Sequence, residues 1–310
     1  MREFEASHIY RGRTKHLVRL VTSSGREVIV TPMHKLFKLD PETGKIVEAP
    51  AASIVRGDFL AMPRKINVRN SYQLILLKDV ESLHVCGKED LKLIKELMEE
   101  AKQKVGSIKA LARTMGISYN TLIRYWIGRN EPSLKFFIKL SELLGKKLPL
   151  EFTVKSSTRG KSIKLPRYMT AKFAEFLGLL MSRGMITKHS VRLLNVDPLI
   201  TSRFNQLLRE LFQLNSSVRF FKTVRCIQVN STALVKILVF LGFPLMGKSK
   251  KSTIPLIILR SPDDVIAGFI RGYYLGVGTF NRGVVEISSA SREIIQMLSY
   301  LLTRLGILYT

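Results

Sequence analysis

"FIRGYYLGVGTF", Phe269 to Phe280, places Gly272, Gly276 and Gly278 at the end of an apolar run and contains no Asp or Glu. Glycines set into an apolar helix let a second backbone approach, because no Cβ stands in the way. A glycine closing such a helix also serves a tight turn, a place suited to presenting an acid, and here the acid is missing. The form recurs upstream in "FLGLLMSRG", Phe176 to Gly184, with the two final glycines 94 residues apart. Each copy heads a similar series. "AKFAEFLGLLM" reads as a helix, "SVRLLNV" as a strand, "LITSRFNQLLRELF" as a helix, "SVRFFKT" and "VRCIQVNS" as strands, and "TALVKILVFLGF" as a helix. The second copy runs helix "DVIAGFIRGYYL", strand "GVVEISS", helix "REIIQMLSYLLTRLG", strand "ILYT". This is an internal repeat whose second half stops where further strands should follow.

The chain of 310 residues sets 50 Lys+Arg against 24 Asp+Glu, a formal net charge of +26. Such a surplus destabilises a compact chain by self-repulsion unless a polyanion neutralises it. Neutralised phosphates release counterions, so double-stranded DNA is the expected partner. A thermophile's lysine-rich surface adds Glu alongside Lys, which this composition does not. No apolar run reaches the ~20 residues that span a bilayer, so no membrane is expected. The start "MREFEASHIYRGR" has no apolar signal core, which gives the cytoplasm as the expected location. Cys86 and Cys226 read as reduced structural thiols, and no His/Cys/Asp cluster has zinc-ligand spacing. No metal or other cofactor is expected from the residues themselves.

Five segments follow from the pattern. Residues 1–66 alternate as a small all-β unit: a hairpin around Ser24-Gly25, a turn at "DPETGK", and a strand in "VRGDFLAMPRKI" entered through Gly57-Asp58. Residues 67–105 form a helical connector with a one-faced helix from Glu89 to Lys104. Residues 106–150 divide into short helices punctuated by Gly116, Ser118, Gly128, Pro132-Ser133 and Gly145. Residues 151–165, with "TVKSSTRGKSIK", read as a basic linker, and 166–310 as the α+β repeat.

The two glycine motifs resemble those of LAGLIDADG homing endonucleases. The resemblance implies two helices packed along small-residue faces, with Gly178, Gly184, Gly272 and Gly278 as helix-pairing positions. It also implies a saddle of strands in the DNA major groove and one carboxylate per helix end for catalytic Mg²⁺. The acid positions fall on Arg183 and Val277, neither a Mg²⁺ ligand; Arg183 repels a metal and is suited to pairing with phosphate. "GFPLMGKSKKSTIP" resembles the block before the second motif, with Lys248 or Lys250 either as the family's catalytic lysine or in a basic loop on the phosphate backbone. Asp263 and Asp264 are the other carboxylates near the second motif, but they precede the helix rather than ending it.

Two further resemblances concern the first half of the chain. "TPMH", with Thr31 and His34, and "IVRGDFLAMPRK" resemble the splicing (Hedgehog/intein) domain of inteins, where such a pair polarises the N-terminal scissile peptide. The family also needs a Cys or Ser at the intein start and a C-terminal His-Asn. This chain begins at Met1 close to the block and ends "GILYT", so it is not expected to splice alone, and a host protein or complementary intein fragment is the implied partner. Residues Gly106–Gly145 resemble a Cro/repressor helix-turn-helix, with Ser118, Tyr119, Asn120, Thr121 and Arg124 as candidate base or phosphate contacts and Leu122, Ile123 and Trp126 as packing residues. Together the resemblances cover about five-sixths of the chain. The fold class is therefore a mixed multidomain chain: an all-β Hedgehog/intein-like segment, an all-α helix-turn-helix, and an α+β LAGLIDADG fold with an incomplete second repeat. The functional readings are an intein-derived endonuclease retaining DNA binding, a DNA-binding regulator built from the same parts, and an active nuclease using other acids.

Overall fold

The computed structural model describes residue 8 and residues 12–68, 70–75, 77, 80–245 and 252–310. The described residues fall into two compact units, those of Met1–Arg69 with Ile295–Thr310, and those of Asn70–Ile294.

In the first unit β1 (Val18–Val21) pairs antiparallel with β2 (Glu27–Val30), and β3 (Lys35–Leu39) with β4 (Ile46–Pro50). The turns between them carry Gly25 and Gly44 at positive φ, a conformation that costs glycine nothing. The strand expected in residues 55–66 does not form; only an isolated bridge, Lys38 to Leu60, is made there. Alternation alone does not hold a strand, which exists through its ladder partner. "ILYT" at 307–310 is likewise no strand. It lies against the first hairpin instead, with the Arg26 guanidinium 4.4 Å from the centre of the Tyr309 ring.

The second unit opens with β5 (His84–Val85) and α1 (Lys88–Val105). Next come α2 (Ile108–Met115), α3 (Tyr119–Trp126) and α4 (Leu134–Leu143). Their ends follow local chemistry: Ser107, Ser118 and Ser133 cap the N-termini by accepting a backbone N–H, and Gly106 and Gly116 close α1 and α2 in the left-handed region. Ile94, Leu97, Met98 and Ala101 of α1 are buried with Leu111, Ala112, Leu122, Phe137 and Leu140. The helix assigned by sequence to a connector thus packs on α2 and α4 as part of the helical bundle.

The basic linker expected at residues 151–165 is instead a sheet. β6 (Glu151–Lys155) pairs with both β5 and β7 (Ile163–Pro166). Phe152, Val154, Ile163 and Leu165 alternate inward and are buried, while the Lys and Ser residues occupy the outer face and the turn. The Phe152 ring meets Phe137 of α4 edge-on at 6.4 Å, and the Thr153 N–H donates to the buried Asp90 carboxylate of α1 at 2.8 Å. Helical bundle and sheet are therefore one packed body rather than modules on a tether.

The repeat follows. Its first copy is α5 (Ala171–Arg183), β8 (Gly184–Ile186), β9 (Ser190–Asn195), α6 (Pro198–Phe212), β10 (Ser217–Phe221), β11 (Val224–Asn230) and α7 (Thr232–Phe240). After the short α8 (Leu256–Leu259) the second copy gives α9 (Asp263–Val277), β12 (Gly278–Asn281), β13 (Val284–Ile287) and α10 (Arg292–Arg304). The first copy closes a four-stranded sheet, ordered β10-β11-β9-β8, and the second forms only the pair β12-β13. Val191, Leu193, Ile227 and Val229 point to one face of the larger sheet and are buried. Stacked and edge-on contacts among Phe173, Phe176, Phe204 and Phe212 fill the space between α5 and α6.

Candidate nucleic-acid interface

The centre of the second unit is the seam between α5 and α9, which run side by side in the same direction. A Cβ on Gly268 would lie 2.4 Å from Ala171 O, one on Gly272 2.0 Å from Glu175 O, and one on Gly178 2.2 Å from Phe269 O. A Cβ on Gly276 would instead meet a side chain, Ser182 Oγ at 1.8 Å. The seam is therefore backbone against backbone at Gly178, Gly268 and Gly272 and backbone against a small side chain at Gly276, with glycine at every fourth position of α9. Gly184 and Gly278, expected to pair the helices, do something else. Their Cβ atoms would strike Leu180 and Tyr274 of their own helices, so they permit the turn from helix into β8 and β12. Gly268 does the pairing that sequence reading gave to Gly278.

Glu175 is a buried acid on this seam, its side chain 2% exposed. Arg203 of α6 holds it with two hydrogen bonds, of 2.7 and 2.9 Å, and Arg271 of α9 adds a third at 2.6 Å. Burial alone pushes the carboxyl upward, but the two guanidinium groups outweigh it and hold it below the usual glutamate range. One acid thus ties together three helices. The signal was present in "AKFAEFLGLLM": a single acid in an apolar helix demands a partner.

At the helix ends stand Arg183 and Val277. Arg183 reaches across the seam, its Nε donating to Gly276 O at 2.8 Å. A guanidinium there caps the last turn of α9 and faces the negative end of its dipole. Donors suited to Mg²⁺ are lacking: the crevice around these ends is lined by no carboxylate, and no group of three metal-ligating side chains is found among the described residues. The residues at this place do not fit the family's metal. Asp263 and Asp264 lie in the first turn of α9, about 20 Å along a 15-residue helix from Val277 at 1.5 Å per residue. Asp264 accepts a hydrogen bond from Tyr72 Oη at 2.9 Å. Lys248 and Lys250 lie outside the described residues.

β8 starts at the helix end, so the sheet continues from the same point. The face opposite α5 and α6 carries a row of cross-strand neighbours, Met185, Arg192, Gln228 and Ser217, and beside it Leu194, Cys226 and Arg219. This face holds no acid. Arg219 is exposed, and the Nε of half-buried Arg192 is shielded and makes no hydrogen bond within the protein. The pair β12-β13 of the second copy matches β8-β9 in register: Gly184 faces Leu193, and Gly278 faces Ile287. By that register Glu286, opposite Thr279, takes the place that Arg192 has opposite Met185. The two halves share this strand pairing and differ in the sign of charge at this position.

On the helical bundle, Ser118, Tyr119, Asn120 and Arg124 are exposed at the start and along one side of α3, and Thr121 is half-buried. Ser118 Oγ accepts the Thr121 N–H at 3.1 Å and lies 2.8 Å from Thr121 Oγ1. Both hydroxyls are thus partly engaged in capping, which leaves Tyr119, Asn120 and Arg124 as the freer side chains. Leu122 is fully buried, and Ile123 and Trp126 are half-buried. In the first unit Thr31 and His34 are exposed on the turn between β2 and β3, where the His34 N–H donates to Thr31 O at 3.0 Å.

No helix among the described residues is long and apolar enough to cross a membrane. Comparison with known proteins adds two domain assignments. Residues 264–310 match the family described as LAGLIDADG-like domain, and residues 94–150 match the helix-turn-helix family. Along nearly its whole length the chain is similar to parts of curated proteins. It is 27% identical, over 98% of its own residues, to 23% of an A-type ATP synthase subunit from Pyrococcus abyssi. It is 26% identical, over 98%, to 24% of elongation factor 2 from Methanopyrus kandleri. It is 25% identical, over 97%, to 20% of a DNA polymerase from Thermococcus sp.. The chain therefore spans about a quarter or less of these relatives. A helix-turn-helix bundle and a LAGLIDADG-like segment are the parts from which a DNA-binding reading is built.

Proposed function

We propose that this chain binds double-stranded DNA through α3 and the Arg192/Arg219 face of the sheet, and that it derives from an intein-encoded homing endonuclease without carrying metal-dependent cleavage. The observation that carries the reading is the helix seam. It is assembled as a two-helix active-site scaffold requires, yet it ends in Arg183 and Val277, beside a sheet face that bears arginine and no acid. Origin in an inserted element is supported by the relatives. A component of an ATP synthase, an elongation factor and a DNA polymerase share no common task by name, yet the same chain matches a minor part of each. A segment passed between unrelated hosts produces that distribution. The first unit fits as a partial splicing domain, with Thr31 and His34 inherited and idle. Its exposed Met33, Phe59, Val55 and Phe37 fit completion by a host-borne or complementary intein segment.

The test is fluorescence anisotropy on a 30-bp duplex pool across a salt series, with a parallel assay in Mg²⁺. Salt-sensitive binding without strand scission is expected; scission by the purified chain, abolished by chelator, overturns the cleavage half of the reading. Arg124→Ala is expected to weaken binding about ten- to hundredfold, since deleting a charge-assisted hydrogen bond removes roughly 1.5–3 kcal/mol. Unchanged affinity would remove α3 from the interface. A DNA-binding regulator made of the same parts is the second reading, favoured by the helix-turn-helix. It predicts one preferred duplex sequence adjacent to a gene it controls and gives no reason for the Thr31/His34 turn.

The pseudo-symmetric halves lead to a further expectation. With Arg192 in one half and Glu286 in the other, protection of a bound duplex in footprinting should be stronger and longer under the first half. Equal protection on both sides would show that the strand charges do not set the contact.

A further inference from the structure

Beside the paired helix ends lies a crevice of about 330 Å³, lined by Arg183, Met185, Tyr273, Val277, Ser252 and the run Ser288–Ser291 among others. We infer that this crevice is a binding site for one phosphate of the DNA backbone, held by the Arg183 guanidinium and by neutral hydroxyl donors where the related endonucleases place metal ions. The inference rests on the DNA-binding reading above and adds the site's ligand to it.

The chemistry of the lining points to an anion. Among the described residues its one cation is Arg183, no acid lines it, and its polar side chains are otherwise hydroxyls. Arg183 is fixed through Nε on Gly276 O, which orients the guanidinium plane, and it forms no ion pair among the described residues. A planar fork already held in one orientation loses little freedom on taking a phosphate. Ser252 supplies the second signal: its Oγ is shielded from solvent and has no hydrogen-bond partner among the described residues. A buried hydroxyl left unsatisfied costs stability, and such groups mark places where a ligand completes the bonding. Tyr273, which shares a hydrogen bond with Ser289, is pushed upward by burial, so its hydroxyl keeps its proton at neutral pH. Other lining serines are already engaged: Ser182 donates to Leu179 O at 2.9 Å, Ser289 accepts the Ser291 N–H at 3.1 Å, and Ser291 donates to Ser252 O at 2.7 Å and lies 3.0 Å from the Glu293 carboxylate.

The crevice is reachable from the proposed interface. Met185 lines it, and Met185 is the cross-strand neighbour of Arg192 on the acid-free face. A duplex resting on Arg192 and Arg219 therefore passes the mouth of the crevice within one strand spacing, about 4.8 Å.

The experiment uses the full chain, with the 30-bp duplex pool and inorganic phosphate as separate probes. Arg183→Met is expected to raise Kd about tenfold and to make the slope of log K against log salt shallower by about 0.9, as the removal of one neutralised phosphate requires. Ser252→Ala removes a hydroxyl that has no partner among the described residues, so thermal stability should hold or rise. It should raise Kd about threefold with the salt slope unchanged, because a neutral donor releases no counterion. Wild-type affinity and slope in both variants would overturn the proposal while leaving DNA binding intact. Inorganic phosphate shifting the Arg183 Nε resonance, with DNA affinity indifferent to both substitutions, would assign the crevice to a free anion and overturn the backbone contact. A wild-type chain with no salt-sensitive duplex binding would instead sink the underlying DNA reading.

Discussion

Gly272→Ala is expected to cost the second unit about 3 kcal/mol, although alanine is the better helix former. Helix propensity alone favours the change by roughly 1 kcal/mol. Against it stands a Cβ 2.0 Å from Glu175 O and 2.8 Å from its carbonyl carbon. Both are backbone atoms, so no rotamer relieves the clash and the helices must move apart by more than an ångström. Overpacking of a tight core costs ~1–3 kcal/mol and sometimes more, and here the displaced object is a whole helix. The expected drop in Tm is on the order of 10 °C for a unit of this size. Gly178→Ala attacks the same seam from the opposite helix, 2.2 Å from Phe269 O, and should cost a similar amount. The double variant should cost clearly less than the sum, since one separation relieves both clashes. Additive losses, or a loss under about 1 kcal/mol in either single variant, would contradict a backbone-to-backbone seam.

Arg203→Ala should destabilise by about 3 kcal/mol, because it leaves a buried carboxylate without its two-point partner. Arg271 remains, but its side chain is 56% exposed, and solvent screening limits what it can supply. The pH dependence is the sharper readout. In the wild type the Glu175 carboxyl is held below its unfolded value, so its contribution is present above the ordinary glutamate range and is lost as pH falls through the folded pKa. In the variant burial dominates and raises the carboxyl, so protonation now favours the folded state. Urea unfolding between pH 3 and 6 should therefore show stability falling with acid in the wild type, and a flattened or reversed slope in Arg203→Ala. Parallel pH curves would mean that Glu175 is not held by Arg203 in solution.

How much was legible depended on how local each signal is. The helix-turn-helix could be read closely because its boundaries are set by caps, Ser118 and Ser133 at starts and Gly116 and Gly145 near ends, each acting within one turn. The helix repeat was readable from apolar periodicity. Strands fared worse, because a strand depends on a partner elsewhere. "EFTVK" and "SIKLP" hid behind the lysines and serines of the turn between them, although Phe152, Val154, Ile163 and Leu165 keep a period of two. Residues 55–66 showed the same period and formed no ladder. The short β8 and β12 begin at the glycine that closes each helix, and at three and four residues they are too short for alternation to show. At the site, the absence of an acid from both glycine motifs was plain from the sequence. The Arg183 bond to Gly276, the partner of Glu175 and the role of Gly268 all needed the opposing helix in view.

The hydrogen bond from Arg183 to Gly276 O also governs what single changes can reach. Arg183→Asp alone would strip the cation from the carbonyl end of α9 and set an anion against two helix C-termini, with Val277 unable to share a metal. Val277→Asp alone would put its carboxylate beside Arg183 and be neutralised by it, leaving nothing for a divalent ion. Each half-step gives up the present arrangement without gaining the other, so the two states are separated by a valley that only a simultaneous change at both positions crosses. Under the proposed reading the cap works as a ratchet, holding a chain that carries it to binding without cutting, whatever selection later favours.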